Sequence, residues 1–220
     1  MLETAFARPP GDVGNPASWA IPVLFATIAG ATARRVVAGG AADMVEAFVA
    51  AGDLLAAQGA VGLITSCGFL ATLQPELAQR CRVPVATSSL LQIPLLQSCL
   101  RGRVGVITYD AAALTEAHFR AVGADPTTPV AGLPPDGAFH AMIERAGPYD
   151  AAVLAEEAVG LALGLQSRHT DLAAIVLECT NLPPFSKAIH VATGLPVFDV
   201  LSLGHWFHAG LIARSTPRHV

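Results

Sequence analysis

The stretch that decides the fold occurs twice in the chain. The first copy, residues 61–88, opens with VGLITSCG and closes with PVATS, and Cys67 follows its first apolar run. The second copy, residues 174–200, opens with AIVLECTN and closes with LPVFDV, and Cys179 stands in the matching place. In each copy, a proline that opens the next apolar run follows the cysteine by 17 residues. This shared register indicates two related halves, each presenting one thiol.

Apolar runs alternate with amphipathic segments along most of the chain. This alternation predicts an α/β fold with a largely parallel sheet. The predicted strands are residues 23–28, 61–65, 83–87, 103–108, 130–133, 173–177 and 195–198. The predicted helices are residues 41–57, 68–80, 90–100, 113–122, 137–145, 151–165, 183–192 and 201–213.

The basic turn at residues 101–103 is the best candidate for a boundary between the halves, since a new strand begins there. We therefore expect one half to comprise residues 1–100 and 201–220, carrying Cys67, because the last helix can return to it. Residues 101–200 would form the other half, carrying Cys179. The Gly- and Pro-rich stretch at residues 9–22 is predicted to be a long loop of the kind that is often functional.

The composition of the chain restricts the kinds of binding partner and the cellular compartment that we expect. The 220-residue chain has a net charge of -4 and no basic run, which argues against nucleic acid as a partner and favours a small molecule. Although 53% of residues are hydrophobic, no apolar run approaches the roughly 18 to 20 residues of a membrane span. The start lacks the layout of a signal peptide, so we expect a cytoplasmic protein. Its four cysteines show no CxxC spacing, which predicts free thiols and no metal site.

The two repeated cysteines each follow a strand and precede a helix, where open α/β sheets bind ligands. Backbone N–H groups and the helix dipole at such a junction are expected to lower the pKa of a thiol from about 8.5 to roughly 3.5 to 7.5. Two thiolate-forming groups that face each other could remove a proton from one face of a carbon and return one to the other. The hydroxyl and amide groups beside them could hold the intermediate's oxygens: Thr65, Ser66, Thr180 and Asn181.

Ordinary structural roles remain alternatives for these residues. A buried cysteine at a strand end is commonly an inert apolar side chain, and the three hydroxyl residues could simply cap helices. Cys81 and Cys99, which lie outside the repeat, are predicted to be structural, with Cys99 in a helix interior. The matched register is what favours catalysis by Cys67 and Cys179.

At residues 65–68, TSCG, and 177–183, LECTNLP, the chain resembles the cofactor-independent aspartate/glutamate racemase superfamily. That group also includes hydantoin racemases, arylmalonate decarboxylases and maleate cis-trans isomerases. The resemblance implies two pseudo-symmetric flavodoxin-like halves with parallel sheets and an active site in the cleft between them. It also implies that Cys67 and Cys179 are paired acid/base thiols. The residues implied to hold the substrate are Thr65, Ser66, Gly68, Thr108, Tyr109, Thr180 and Asn181.

Several residues depart from the pattern of that superfamily. Glu178 replaces a usual glycine and would oppose thiolate formation unless its side chain points away. Glutamate racemases have polar residues at the positions of Gly68, Phe69 and Asn181. Their replacement here favours a less polar substrate. Only two residues precede Glu3 and Thr4, so the first strand is expected to be short or truncated, with this polar pair at the cleft. Tyr109 could be an ordinary half-buried aromatic. Asn15 is expected in a plain turn. His205 and His208 are expected to be partly exposed residues of the last helix.

The leading hypothesis is a racemase or epimerase that inverts the carbon next to a carboxylate or carbonyl of an amino acid or related small acid. It uses the two thiols and no cofactor, and the sequence leaves a homodimer open. One alternative is a decarboxylase or cis-trans isomerase that uses a single cysteine. Another is a non-catalytic sensor of small acids that kept the cleft but lost turnover.

Overall fold

A computed structural model describes residues 1–39, 41–145 and 147–212. The strands are β1 (Leu2–Glu3), β2 (Ile28–Thr32), β3 (Leu63–Ile64), β4 (Val85–Ala86), β5 (Arg103–Thr108), β6 (Val130–Gly132), β7 (Leu172–Leu177) and β8 (Val197–Phe198). The helices are α1 (Ala33–Gly39), α2 (Val45–Ala57), α3 (Gln74–Arg80), α4 (Ile93–Cys99), α5 (Glu116–Ala121), α6 (Ala138–Arg145), α7 (Ala151–Arg168), α8 (Ser186–Thr193) and α9 (Val200–Leu211). Within this part of the chain, no helix has the length and apolar character needed to cross a bilayer.

Every strand pairing in the described residues is parallel, which confirms the predicted fold class. Four strands form one sheet in the order β6, β5, β7, β8, while β1 pairs with β2 and β3 with β4. The residues of β5 and β7 are almost all buried, because helices cover both faces of the larger sheet. Their continuous apolar sequences are the signature of such strands.

Prolines shorten three of the predicted helices. Residues 68–80, 90–100 and 183–192 each begin instead with a 3₁₀ segment: Gly68–Leu73, Ser89–Gln92 and Pro183–Phe185. Pro75 and Pro94 then stand in the first turns of α3 and α4. Proline is tolerated there because it lacks the N–H that an internal helical position must donate.

The predicted strand at residues 23–28 is wrong. The strand begins at Ile28, because its partner β1 comprises only Leu2 and Glu3 and pairs Leu2 with Ile28. Residues 23–27 form no strand, although the Met1 amino group donates to the Ala26 carbonyl at 2.6 Å. Helix α1, which follows β2 directly, was not predicted at all.

Helix α9 contacts the segment that follows β4. The side chain of Gln92 donates to the Asp199 carbonyl at 3.0 Å and accepts from the Ser202 hydroxyl at 3.1 Å. Trp19 packs against Gly204 of the same helix. Helix α9 and its cap residue Asp199 therefore contact Gln92 and Trp19, which belong to the expected first half. The division into halves stays a prediction, and residues 213–220, including the expected helix end at Ala213, lie outside the described residues.

A side-chain cap begins the longest helix, α7. The Asp150 carboxylate accepts from the N–H groups of Ala152 and Val153 at 3.0 and 3.2 Å. We expect Asp150→Ala to lower the free energy of unfolding by about 1 kcal/mol, since two helix-end donors lose their acceptor. Asp150→Ser, which restores an acceptor, should stay within a few tenths of wild type in urea titrations. Equal losses in both variants would contradict the capping role.

Candidate active site

The two cysteine segments meet in the folded chain. The Thr180 hydroxyl donates to the Ser66 carbonyl at 2.8 Å, and the backbone of Gly68 lies against Glu178. Cys67 and Cys179 are both buried, with 9% and 6% of their surface exposed. The two segments, more than 100 residues apart in sequence, therefore form one site.

Both thiols of this site are held protonated. Burial, followed by the charge of Glu178, raises the pKa of Cys67 to about 12, although the N–H groups of Phe69 and Leu70 act in the opposite direction. Burial and Glu178 likewise raise the pKa of Cys179 well above its usual value, and the nearby Cys67 adds to the shift. The expected lowering of the thiol pKa is wrong, because desolvation and a neighbouring carboxylate outweigh the helix-end donors.

Glu178 lies wholly inside the protein, with no exposed surface. Its Oε2 accepts a hydrogen bond from the Thr108 hydroxyl at 2.6 Å. Within the described residues, no hydrogen-bonding group reaches its Oε1. Burial raises the pKa of Glu178 to about 7, against the lowering effects of Thr108 and the Tyr109 N–H. The side chain lies against Gly68, next to Cys67, and its charge raises the pKa of both thiols, so the opposition to thiolate formation expected from the sequence is present.

A small cavity of about 40 Å³ opens onto Cys179. Its polar lining includes residues from both cysteine segments and from the N-terminal loop: Thr4, Arg8, Ser66, Tyr109 and Asn181. Tyr109 donates its hydroxyl to Glu144 at 2.7 Å, and its ring stacks on His140 with centroids 4.0 Å apart. The cavity therefore joins one thiol to a guanidinium, an amide and an aromatic ring.

Arg8 and Asp12 are site residues that sequence reasoning missed. The Asp12 carboxylate, 1% exposed, accepts from Arg8 Nη1 at 2.7 Å and from Asn181 Nδ2 at 2.7 Å. Arg8 Nη2 also donates to the Thr4 hydroxyl at 2.8 Å. The only available signal was the oppositely charged pair at the edge of the predicted functional loop. Asp12 thus fixes both the loop and the residue two places after Cys179.

The other predicted substrate-binding groups are largely engaged by the protein itself. The Thr65 hydroxyl is bonded to the Thr87 carbonyl, and the Ser66 hydroxyl accepts from the Leu2 N–H at 2.8 Å. The Thr108 hydroxyl donates to the Glu178 carboxylate, and the Thr180 hydroxyl donates to the Ser66 carbonyl. The structure brings all seven predicted residues to one region, but several hydroxyls hold backbone in place; their role towards a substrate stays a prediction.

The lesser candidates lie in ordinary structural settings. Glu3 accepts from the Gly30 N–H at 2.8 Å, and Asn15 caps the short turn Pro16–Ser18 through the Ala17 N–H. His205 stacks on Trp19, with ring centroids 5.5 Å apart. Cys99 is the exposed last residue of α4 and not an interior one, which corrects the prediction. The partly buried Cys81 and His208 lie outside the cysteine site; His208 lines a separate apolar cavity of about 490 Å³ beside Trp19.

Solved structures with this fold confirm the architecture that the resemblance implied. The chain superposes on a glycine-to-cysteine variant of arylmalonate decarboxylase with a TM-score of 0.64, at 20% identity over 96% of this chain and 94% of that one. It matches glutamate racemase RacE1 from Bacillus anthracis with a TM-score of 0.52, at 17% identity over 79% and 68%. For allantoin racemase from Klebsiella pneumoniae the TM-score is 0.57, at 14% identity over 78% and 69%. The chain therefore shares the fold of arylmalonate decarboxylase and of these two racemases, which is the fold that the resemblance implied.

Sequence relatives carry a different activity in their names. The chain is 29% identical to a dimethylsulfoniopropionate lyase from Durusdinium sp. clade D, over 92% of this chain and 70% of that protein. It is 29% identical to dimethylsulfoniopropionate lyase 7 from Emiliania huxleyi, over 96% of this chain and 66% of that protein. Both relatives are longer than this chain. No protein-family model matches it. The named relatives and structural neighbours are all enzymes.

Proposed function

We propose that this protein is a carbon-acid lyase that removes a proton from the carbon next to a carboxylate and expels a leaving group from the neighbouring carbon. The observation that carries the proposal is the meeting of the two cysteine segments beside a cavity that is lined by Cys179 and by Arg8 of the N-terminal loop. The match to lyases over more than nine tenths of the chain favours elimination over racemisation. The substrate class is a small carboxylate with a sulfonium group, such as dimethylsulfoniopropionate.

Cys179 is assigned as the base because its side chain lines the cavity. Its thiolate takes a proton from the carbon next to the carboxylate: the C–H bond breaks and an S–H bond forms. The electron pair of the broken C–H bond passes through the enolate and forms the carbon–carbon double bond. The carbon–sulfur bond breaks at the same time, and its electron pair leaves with the sulfonium sulfur. The products are dimethyl sulfide and acrylate, with one proton released overall.

Arg8 is assigned to the substrate carboxylate. A guanidinium carries five N–H donors, and the described contacts to Asp12 and Thr4 use two of them. Its place in the lining beside Cys179 allows a further donor to hold the carboxylate and its developing enolate. The Tyr109 ring, on the same lining, offers an aromatic face to a sulfonium cation.

Racemisation or epimerisation is the second candidate, and the presence of both thiols favours it. Proton return from Cys67 after removal by Cys179 would invert the carbon without a leaving group. Elimination requires a leaving group such as a sulfonium, which an amino acid lacks, so the substrate distinguishes the two reactions. The same first step, proton removal next to a carboxylate, serves both.

Proton NMR in deuterated water can test the proposal directly. With dimethylsulfoniopropionate, we expect the vinyl signals of acrylate to grow with the methyl signal of dimethyl sulfide. Single enantiomers of aspartate, glutamate and lactate should show no deuterium incorporation under the same conditions. Exchange or inversion of one of these acids without any acrylate would replace the lyase by the racemase.

A further inference from the structure

Glu178 is a buried carboxyl that the proposed mechanism does not use. It joins the two thiol segments: its backbone precedes Cys179, and its side chain lies against Gly68, the residue after Cys67. A β-carbon built on Gly68 would stand 2.3 Å from Glu178 Oε1 and 2.5 Å from its carbonyl oxygen. The carboxyl therefore occupies the place where any other residue at position 68 would carry a side chain.

The two carboxyl oxygens have unequal surroundings. Oε2 accepts from the Thr108 hydroxyl, and the Tyr109 N–H also faces the carboxyl. Oε1 is buried and, in the described part of the chain, has no hydrogen-bonding partner. A buried polar atom without a partner is destabilising, because the hydration it has lost is not replaced. Such an atom suits a role in which it receives a proton during function.

We propose that Glu178 is a positioning residue that holds the negative charge of the cysteine site and becomes protonated, on Oε1, when a site thiol ionises to become the base. In this step the S–H bond breaks and its proton passes to solvent, while a proton from solvent forms an O–H bond on the carboxyl, so the charge moves from oxygen to sulfur. The exchange is not direct, because no thiol of the described residues lies within hydrogen-bonding distance of Oε1. The inference extends the proposed function, since a thiolate is the base in elimination and in racemisation alike.

The charged groups around the carboxyl support this exchange. The thiols of Cys67 and Cys179 both respond to the charge of Glu178. The Tyr109 hydroxyl is directed at Glu144 instead. Asp12 acts on Cys179, but it is paired with Arg8. Among the described residues no cation forms an ion pair with Glu178. The carboxyl and the two thiols therefore share one negative charge that no cation balances.

A defined pH dependence follows. Below about pH 7 the carboxyl is protonated, and thiolate formation rises tenfold with each pH unit. Above that pH the carboxyl is ionised and its charge opposes a second ionisation. The thiolate fraction should then stop rising until much higher pH. Glu178→Gln, which has nearly the same shape but no charge, should remove this bend.

Alkylation by iodoacetamide, followed separately for each cysteine by peptide mass spectrometry, measures the thiolate fraction without any substrate. We expect Cys67, Cys179 or both to show a rate that bends near pH 7 in wild type. In Glu178→Gln the rate should keep rising and exceed wild type at least about tenfold at pH 9. Exposed Cys99 is the internal reference, and Glu116→Gln, which changes an exposed carboxylate paired with Arg120, is the matched control.

Thr108→Val is a second variant in case Glu178→Gln does not fold. Loss of the Thr108 hydrogen bond raises the pKa of Glu178, so the bend should move to higher pH. A wild-type profile without a bend, or a bend unchanged in both variants, overturns the proposal. A bend that disappears as expected in a protein that forms no acrylate would overturn the lyase assignment alone.

Discussion

Cys179→Ser should lose acrylate formation by on the order of 10³-fold or more, with its melting temperature nearly unchanged. A serine hydroxyl is much less acidic than a thiol, so almost no anionic base is present at neutral pH. Positioned general bases typically contribute 10² to 10⁴ in rate. Initial rates with dimethylsulfoniopropionate, measured by NMR or by headspace detection of dimethyl sulfide, check the loss.

Cys67→Ser separates one-base elimination from two-base inversion. In the lyase the second thiol donates no proton to the product, so this variant should keep activity to within about tenfold. In a racemase both variants would fail, because each thiol handles the proton on its own face. Cys99→Ser, at an exposed helix end, is the matched control. If Cys179→Ser retains wild-type turnover while Cys99→Ser also does, the assignment of the base is wrong.

The sequence repeat predicted the meeting of the cysteine segments, because two related halves that face each other bring their matching strand-to-helix junctions together. The repeat did not predict which way the Glu178 side chain points. That direction depends on which strand lies beside β7: the neighbour is β5, whose end places the Thr108 hydroxyl and the Tyr109 N–H against the carboxyl. Neighbours in a sheet are set by tertiary pairing, which a local pattern does not contain.

The thiol pKa was predicted in the wrong direction for a related reason. The helix-end donors are local and can be read from sequence, and the Phe69 and Leu70 N–H groups do lower the pKa of Cys67. Burial and the charge of Glu178 are properties of the assembled site and are larger. Arg8 and Asp12 were missed likewise, since an irregular loop carries no periodic signal for where it docks.

The prediction for stability with the largest expected effect is Gly68→Ala. The new methyl group would overlap Glu178 Oε1 at 2.3 Å and the Glu178 carbonyl oxygen at 2.5 Å. The carboxyl could swing aside only by losing Thr108, and the carbonyl is part of the backbone. We expect a loss of roughly 2 to 3 kcal/mol, as for other overpacked interiors, and a fall in melting temperature of roughly 5 to 10 °C.

Gly160→Ala provides the opposite case within the same protein. Gly160 is exposed in the middle of α7, and a β-carbon there meets no atom within 4 Å. Alanine should therefore stabilise the helix by up to about 1 kcal/mol. Differential scanning calorimetry of the two variants should show shifts of opposite sign.

A double mutant tests whether the stability lost in Gly68→Ala results from overlap with the Glu178 carboxyl. Glu178→Ala removes the nearer overlap but leaves the carbonyl in place, so adding it to Gly68→Ala should recover part of the lost stability. The two substitutions should be non-additive, because their groups are in direct contact. Strict additivity would mean that Gly68 is required by some other neighbour, and it would also remove the contact on which the role of Glu178 between the two thiols depends.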